Sequence, residues 1–539
     1  MIRRTIVAVA SASLVVGLAA CGAGKTAPGA SLGRLSAYFP EDTPMYFEIS
    51  TALDGPQWTA TKSIAGRFPA FKELQGQQMA QFNAALTLFR PFLGDRASVG
   101  VTRFPPGSLN NTSKVQPDVV VAAELAAGKG MDIAKLIVGF GGNGKPLGSV
   151  AGQPVYGGSD MKVVILGDDL VAATTIPALM AAAARKGASS NLMSSDRVRR
   201  AFARLDDDVL VDGWMDLSAL MRAAAKDDPK ITSGGVSSDK VLSALGLAPD
   251  TGAVFSVKAE ASAIRAKLAW TGAAALGGVE FTPTLPARLP GDAFAYVGAS
   301  DLGPQYLRLF RRILPTMKAS GQSEATTQIT KLTKALDSSL EDVAAVASGE
   351  VGIVAGGPAA TGTFGAIITP ADPAAAESTL TKLRERLPAI SRSEQWDSPV
   401  PAAKPFSLDG LRGWTFPDSR HGDLGKLDLA PSYAFDRGSL LVGSTPKSTV
   451  ALRGGVTTLA TNPRFHDAMA QVPSKVTQLI WADVPATVKA VALGTREGSS
   501  AAGGRVESQL ANIEVLDQLV IWSTKDGDVS TTEAVLTVH

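Results

Sequence analysis

Cysteine is nearly missing from this chain: Cys21 stands alone in 539 residues. No internal disulfide can form, so packed cores must supply the stability. Histidine is almost as scarce. His421, His466 and His539 lie far apart, and with a single thiol they cannot assemble a usual zinc site. An excess charge is also missing, with 52 Lys+Arg against 50 Asp+Glu. No global field would recruit nucleic acid or another polyanion. Aromatics make up only 6% of the chain. Apart from Ile6–Ala20, no stretch is long and apolar enough to approach a membrane span.

Catalytic constellations are equally thin. Residues 139–146 nearly spell a phosphate-binding loop, but Pro146 stands where Ser or Thr would hold magnesium. The glycines also follow a helical pattern instead of opening a helix, so nucleotide binding is not expected. No Gly-x-Ser-x-Gly elbow is present. Ser237-Ser-Asp-Lys240 and Ser444-Thr-Pro-Lys447 match Ser-x-x-Lys but lack the companion Ser-Asp-Asn and Lys-Thr-Gly motifs. Asp206, Asp207 and Asp208, with Asp212 and Asp216, are the densest carboxylates, yet the alternating spacing of a calcium loop is missing. The sequence therefore predicts no enzyme, no cofactor, no metal and no catalytic residue.

What is present begins with an address. Arg3 and Arg4 precede the apolar run Ile6–Ala20, which ends in Leu18-Ala19-Ala20-Cys21. This is the pattern of an export signal, and Leu-Ala-Ala-Cys resembles the bacterial lipobox. The resemblance implies removal of residues 1–20 as a signal peptide and lipidation of Cys21. Its acyl chains would hold the protein on the outer side of the cell membrane, each buried methylene contributing roughly 0.8 kcal/mol. Residues 21–36 are small, polar and punctuated by Gly and Pro, and read as a flexible tether.

The body reads as one fold written twice. Phe39–Ser50 returns as Leu289–Ser300, with Pro40/Pro290, Asp42/Asp292, Tyr46/Tyr296 and Ser50/Ser300 in register. Gly94-Asp95 is echoed by Gly349-Glu350, Leu170–Thr174 by Leu441–Thr445, Trp214-Met215-Asp216 by Trp481-Ala482-Asp483, and Arg197 by Arg464. Tight Gly/Asp turns between strands indicate antiparallel pairing, because parallel neighbours need long crossovers. The expected fold is α+β: two homologous repeats, each a mostly antiparallel curved sheet with helices packed on one face. The repeats span residues 37–271 and 287–539, with a linker at 272–286. Helices are expected around residues 71–89 and 131–140, and over 324–343.

With the lipobox, the Phe-Pro-Glu-Asp-Thr-Pro-Met-Tyr opening at residues 39–46, Phe92-Leu93-Gly94-Asp95 and the duplicated order in place, the chain resembles the bacterial family filed as domain of unknown function 3352. The resemblance covers nearly all of the mature chain. It implies an exported, surface-anchored protein of two similar lobes, and it brings no catalytic residue.

Within the repeats, Trp214 with Asp216 and Trp481 with Asp483 form a matched pair two residues apart, so each pair shares one strand face. They are either ligand-facing residues, one pair per lobe, or a buried Trp beside an Asp that caps the next helix. Arg197, Arg200 and Arg204 form a basic stripe suited to solvent or to anionic headgroups. The expected function is non-catalytic binding or scaffolding in the envelope. Two alternatives are a carrier of lipophilic ligand in a cavity between sheet and helices, and a hydrolase with an unrecognised site. A membrane partner follows from Cys21; no nucleic-acid or nucleotide partner is expected.

Overall fold

The computed structural model describes residues 32–539, apart from 70–89, 109–114, 131, 135–144, 159–160, 228–236, 245, 249, 273–277, 320–322, 358–362, 394–398, 418–429 and 497–512. The lipobox, the expected helix at 71–89, the glycine run 139–144 and His421 fall outside the described residues, as does most of the expected helix at 131–140.

The first half contributes ten strands: Met45–Ser50 (β1), Leu93–Arg103 (β2), Asp118–Leu125 (β3), Gly148–Val150 (β4), Gln153–Gly157 (β5), Lys162–Leu166 (β6), Asp169–Ala173 (β7), Val211–Asp216 (β8), Gly252–Ala259 (β9) and Ala263–Thr271 (β10). The second contributes Ala293–Ser300 (β11), Glu350–Gly356 (β12), Thr363–Ile368 (β13), Lys404–Leu408 (β14), Leu411–Thr415 (β15), Ser432–Asp436 (β16), Ser439–Gly443 (β17), Gln478–Asp483 (β18), Leu516–Asp526 (β19) and Val529–Val538 (β20). All pairings are antiparallel, and the fold is α+β around one large sheet. From one edge inward the order is β4-β5-β6-β7-β3-β2-β1-β8-β9-β10. From the other edge inward it is β14-β15-β16-β17-β13-β12-β11-β18-β19-β20. β10 pairs with β20 at the seam. Each strand of the second half thus takes the neighbours of the strand ten places earlier.

Turn chemistry explains much of this. β16 and β17 are joined through Arg437 (φ 49°) and Gly438 (φ 77°). Two left-handed residues make the turn whose twist matches a two-residue hairpin. After β7, Thr175 caps the helix Ile176–Arg185 by accepting from the Ala178 amide; after β17, Thr445 caps Pro446–Ala451 by accepting from Ser448. These caps correct the expected register. Thr445 corresponds to Thr175, not Thr174, so that echo slips by one residue. Thr51 donates to the Asp95 carbonyl as Asp301 donates to Gly349, so the Gly94 echo slips likewise. A one-residue slip moves side chains to the opposite sheet face, which makes these corrections consequential.

The sheet has two faces. On the first, Tyr46 lies opposite Trp214, and Tyr296 opposite Trp481. Leu179, Val198 and Phe202 of the helices Ile176–Arg185 and Asp196–Phe202 pack there with Tyr46, Trp214 and Val254. In the second half Phe465 meets both Tyr296 and Trp481 edge-on, at ring-centroid distances of 6.1 and 5.3 Å. Helices were expected on one face only, but the second face carries them too. Trp270, which points there, packs with Leu217 and Met221 of Leu217–Asp227 and with Leu242 of Ser238–Ala244. Strand residues alternate sides, so a strand apolar at successive positions calls for cover on both.

Three boundaries move. The expected tether ends earlier than residue 36: Leu32, Leu35 and Ser36 are buried, and a 3-10 turn covers Arg34–Tyr38. Asp169, fully buried, fastens it by accepting from the Tyr38 hydroxyl at 2.6 Å and pairing with Arg34 (2.7 Å) and Lys186 (2.8 Å). The described end of the expected linker is also packed, with Phe281 bridged to Val476 and Leu285 buried. The single helix expected over 324–343 is two, Ser323–Leu336 and Leu340–Ala345. Asp337 turns left-handed (φ 50°), and Ser339 and Asp342 form a capping box that starts the second helix.

Candidate functional site: an apolar sheet face backed by buried charge

The Trp/Asp pairs come first. Both indoles are 1% exposed. Asp216 accepts from the Ala219 amide at 2.8 Å, and Asp483 from Ala486 at 3.0 Å, each capping the helix that follows its strand. Arg197 pairs with Asp216 at 3.0 Å and lies over the Trp214 ring, 4.7 Å from its centroid; Arg464 pairs with Asp483 at 2.9 Å. The geometry is that of the structural alternative: a buried ring, a helix cap and a neutralising arginine, twice over. Arg204 of the basic stripe pairs with Asp526 across the two halves. Among the described residues no cluster of His, Cys, Asp or Glu could hold a metal. Asp208 sits in a left-handed turn (φ 50°), while Asp212 and Asp216 point into the fold from β8.

A buried charge cluster not foreseen from the sequence sits two residues beyond the Tyr46–Trp214 pair. Glu48 lies directly opposite both Asp212 on β8 and Ser98 on β2. Both carboxylates are buried, and among the described residues Arg96 is their one close cation, 3.4 Å from Glu48 and 3.7 Å from Asp212. The Tyr46 hydroxyl donates to Glu48. The Glu48 carboxylate occupies the space a Cβ on Gly33 would fill, and it takes the Gly33 amide. Burial first, and then the Glu48 carboxylate opposite, push the Asp212 carboxyl up to about 8 against the pull of Arg96. Glu48 is itself held above its ordinary value by burial, opposed by Arg96 and the Tyr46 hydroxyl, with Glu124 adding repulsion. One arginine cannot neutralise two dry carboxylates, so near pH 7 the pair retains a proton.

The second half solves the same packing problem differently. Gly298, opposite Leu479 and Gly352, stands where Glu48 faces Asp212 and Ser98. The Tyr296 ring lies across both glycines, and a Cβ on Gly298 would collide with its hydroxyl. That hydroxyl is buried with no hydrogen-bond partner among the described residues. The turn Leu285–Ala287 is instead held by Glu350 of β12, which accepts from the Thr284 and Leu285 amides at 2.8 and 3.0 Å. A buried hydroxyl without a partner keeps its desolvation cost. Tyr296→Phe is therefore expected to stabilise the protein by about 1 kcal/mol, and Tyr46→Phe to destabilise it by about 1–3 kcal/mol by stranding Glu48. Urea denaturation of both variants checks the opposite signs.

The second face differs in kind. Its paired positions are Met45, Phe47 and Ile49 on β1, Val211 and Met215 on β8, and Phe255 and Val257 on β9. It continues through Ile264, Ala266 and Leu268 on β10 and Ala534 and Leu536 on β20. Leu519 and Ile521 on β19, Ile480 and Ala482 on β18, and Val297 on β11 extend it. None of these is charged. Of the charged residues on the same strands, Glu48, Asp212, Lys258, Arg265, Lys267, Glu533 and Asp483 face the other way, while Lys525 shares this side at the end of β19, opposite Ser530. Yet these apolar side chains are only half-buried, whereas their first-face neighbours Tyr46, Trp214, Val254, Ala269, Val535, Val520 and Trp481 are buried. Phe47 and Phe255 lie 5.6 Å apart at tilted rings. The half-open side of an antiparallel sheet is normally its polar side; here the order is inverted. Apolar area left accessible forgoes roughly 25 cal/mol per Å².

No family model matches the chain, and no curated protein matches it. Among solved structures, crystal form I of TP0453 is similar at 9% identity over 45% of this chain and 79% of that one, with a TM-score of 0.23. Crystal form IV of TP0453 is similar at 8% identity over 46% and 81%, with a TM-score of 0.25. Likenesses this slight carry no argument about function.

Proposed function

We propose that this chain is a non-catalytic, extracytoplasmic lipoprotein that binds a membrane lipid: Cys21 anchors it, residues 1–20 are removed, and two homologous α+β repeats hold the lipid's acyl part on the second face of their sheet. The observation that carries the reading is the apolar, half-buried field on the second face, which holds no charge from β1 across to β10. A scaffold would be served by the packed first face alone and has no need of apolar side chains left accessible on the other. An acyl chain makes no hydrogen bonds and suits a surface that offers none. A lipid anchor would keep that surface beside its source. Homology of the two repeats is supported by the shared strand order and by Tyr46/Tyr296, Trp214/Trp481 and Asp216/Asp483 at equivalent pairings.

Native mass spectrometry of protein made in its own host tests the binding: bound lipid is expected, and a clean apo mass with nothing extractable overturns it. Anchoring is tested separately. Cys21→Ala is expected to move the protein from membranes to the soluble fraction, and retention on membranes after a high-salt wash rejects the anchor.

A further inference from the structure

The chain enters the described fold at a fixed point. Leu32 is eleven residues on from Cys21, at most about 40 Å of fully extended chain. Just beyond it the turn Arg34–Tyr38 is locked in place, because buried Asp169 holds Arg34, Tyr38 and Lys186 together. An acyl anchor on Cys21 would therefore keep this part of the first half nearest the bilayer.

The surface around that point differs from its counterpart in the second half. The turn Arg34–Tyr38 touches the helix Ile176–Arg185 and the 3-10 turn Leu192–Ser194, and the same helix touches β4. These elements bring four exposed apolar side chains together: Ile176 and Met180, one helical turn apart, Met193 on the turn, and Leu147 just before β4. Met180 is 54% exposed and Leu147 50%, Ile176 and Met193 36% each. Shared caps and turns fix the equivalent positions. Thr175 matches Thr445, so Pro446 and Val450 stand for Ile176 and Met180, and Val450 packs on the core. The Asn191 amide donates to Ser194 Oγ as the Thr458 amide donates to Thr461 Oγ1, so Ala460 stands for Met193. One exposed apolar side chain remains there, Val456, where the first half has Ser189.

Charge follows the same division. Residues 176–204 carry six Lys or Arg against one acid, Asp196, while the counterpart 446–471 carries three against one. Lys186, Arg197, Arg199 and Arg204 are paired, but Arg185 and Arg200 form no ion pair among the described residues. Arg200, counted from the Arg197/Arg464 pair, corresponds to Asp467. Apolar side chains standing out among surplus cations suit the headgroup layer of an anionic bilayer, which offers both apolar depth and negative charge.

We propose, resting on the Cys21 anchor above, that the helix Ile176–Arg185, the turn Leu192–Ser194 and the start of β4 form the membrane-facing surface of this protein. Ile176, Met180, Met193 and Leu147 reach the boundary between headgroups and acyl chains, and the second half makes no such contact.

The test reconstitutes the lipidated protein in vesicles of phosphatidylglycerol and phosphatidylcholine. A phosphatidylcholine with a photoactivatable diazirine in its acyl chain is added, and crosslinked peptides are mapped by mass spectrometry. Crosslinks are expected within 145–155 and 176–200 and not within 446–471. A lipid held on the second face would label β8, β9 and β10 instead, so the two sites are told apart. Met180→Glu combined with Met193→Glu should lower the yield roughly tenfold, with the protein still anchored and its melting temperature unchanged. Met180→Ser with Met193→Ser replaces that pair should it fail to fold, and Val456→Glu should leave the yield as it is. Anchored wild type that crosslinks equally in both halves, or nowhere within 145–200, overturns the assignment and leaves the anchor standing. So does an undiminished yield in the folded double variant. Wild type that leaves the vesicles in high salt overturns the anchor and the assignment with it.

Discussion

Arg96→Met is expected to destabilise the protein by about 3–5 kcal/mol at pH 8, since it strands two buried carboxylates. Glu48 and Asp212 face each other on adjacent strands, and Arg96 reaches both, at 3.4 and 3.7 Å. Adding Asp212→Asn to that variant should restore part of the loss, because asparagine is isosteric with the protonated carboxyl and leaves Glu48 alone without its counter-charge. The single Asp212→Asn variant carries a pH signature. The Asp212 carboxyl, held at about 8 in the fold, has an ordinary value near 4 when the chain is unfolded. The folded state therefore binds the proton more tightly. The associated stabilisation is complete below about pH 4, declines as pH rises, and is lost by about pH 8. Urea midpoints measured from pH 5 to 9 should fall with pH in wild type and fall less in Asp212→Asn. At pH 8 to 9 the variant should be the more stable protein, by on the order of a few kcal/mol. Parallel slopes in the two proteins would show that Asp212 does not hold the proton. The second half, with Gly298 and Leu479 at these positions, adds no matching term.

A second comparison separates the two faces with one strand. Val254→Asp and Val257→Asp place the same charge three residues apart on β9, on opposite sides of the sheet. Val254 is fully buried beside Tyr46 and Trp214. Burying an unpaired carboxylate there should cost at least about 4 kcal/mol and leave little folded protein. Val257 is half-buried on the apolar face, so a carboxylate can reach water. That variant is expected to fold, with a melting temperature within a few degrees of wild type, and to lose bound lipid. Circular dichroism and native mass spectrometry read both outcomes. A Val257→Asp protein that unfolds as completely as Val254→Asp would show the second face to be an ordinary sealed core.

Much of the architecture was legible in the residues. Pro40-Glu41-Asp42 and Pro290-Gly291-Asp292 mark turns, and the apolar runs after them are β1 and β11. Tyr46 and Trp214, far apart in sequence, reappear as Tyr296 and Trp481, and both couples turn out to be directly paired across strands. The echoes at Gly94 and Leu170 slip by one residue where no side chain pins them, because backbone hydrogen bonds and caps set the register there. The hairpin strands β14 and β15 and the helix Pro373–Ser393 give no clear signal in the sequence: the strands are short and half polar, and the helix carries an internal Pro388.

Local sequence settled the turns, the alternation of apolar and charged positions along β1, β8 and β10, and the recurrence of Trp two residues before Asp, because these depend on neighbours within a few residues. It could not decide which side of each strand would be sealed. An apolar–charged alternation ordinarily puts the apolar side inward, and on that rule Phe47, Val257 and Leu268 would be core while Glu48, Asp212 and Lys267 would meet water. Tertiary structure reversed it for Glu48 and Asp212. Helices from later in the chain and the turn Arg34–Tyr38 close over the first face, and Arg96, arriving from a strand some fifty residues away, supplies a positive charge that makes burying the pair tolerable. Pairing of β10 with β20 is the other decision taken only in three dimensions. It joins residues far apart in sequence, and by doing so it turns two half-open apolar faces into one.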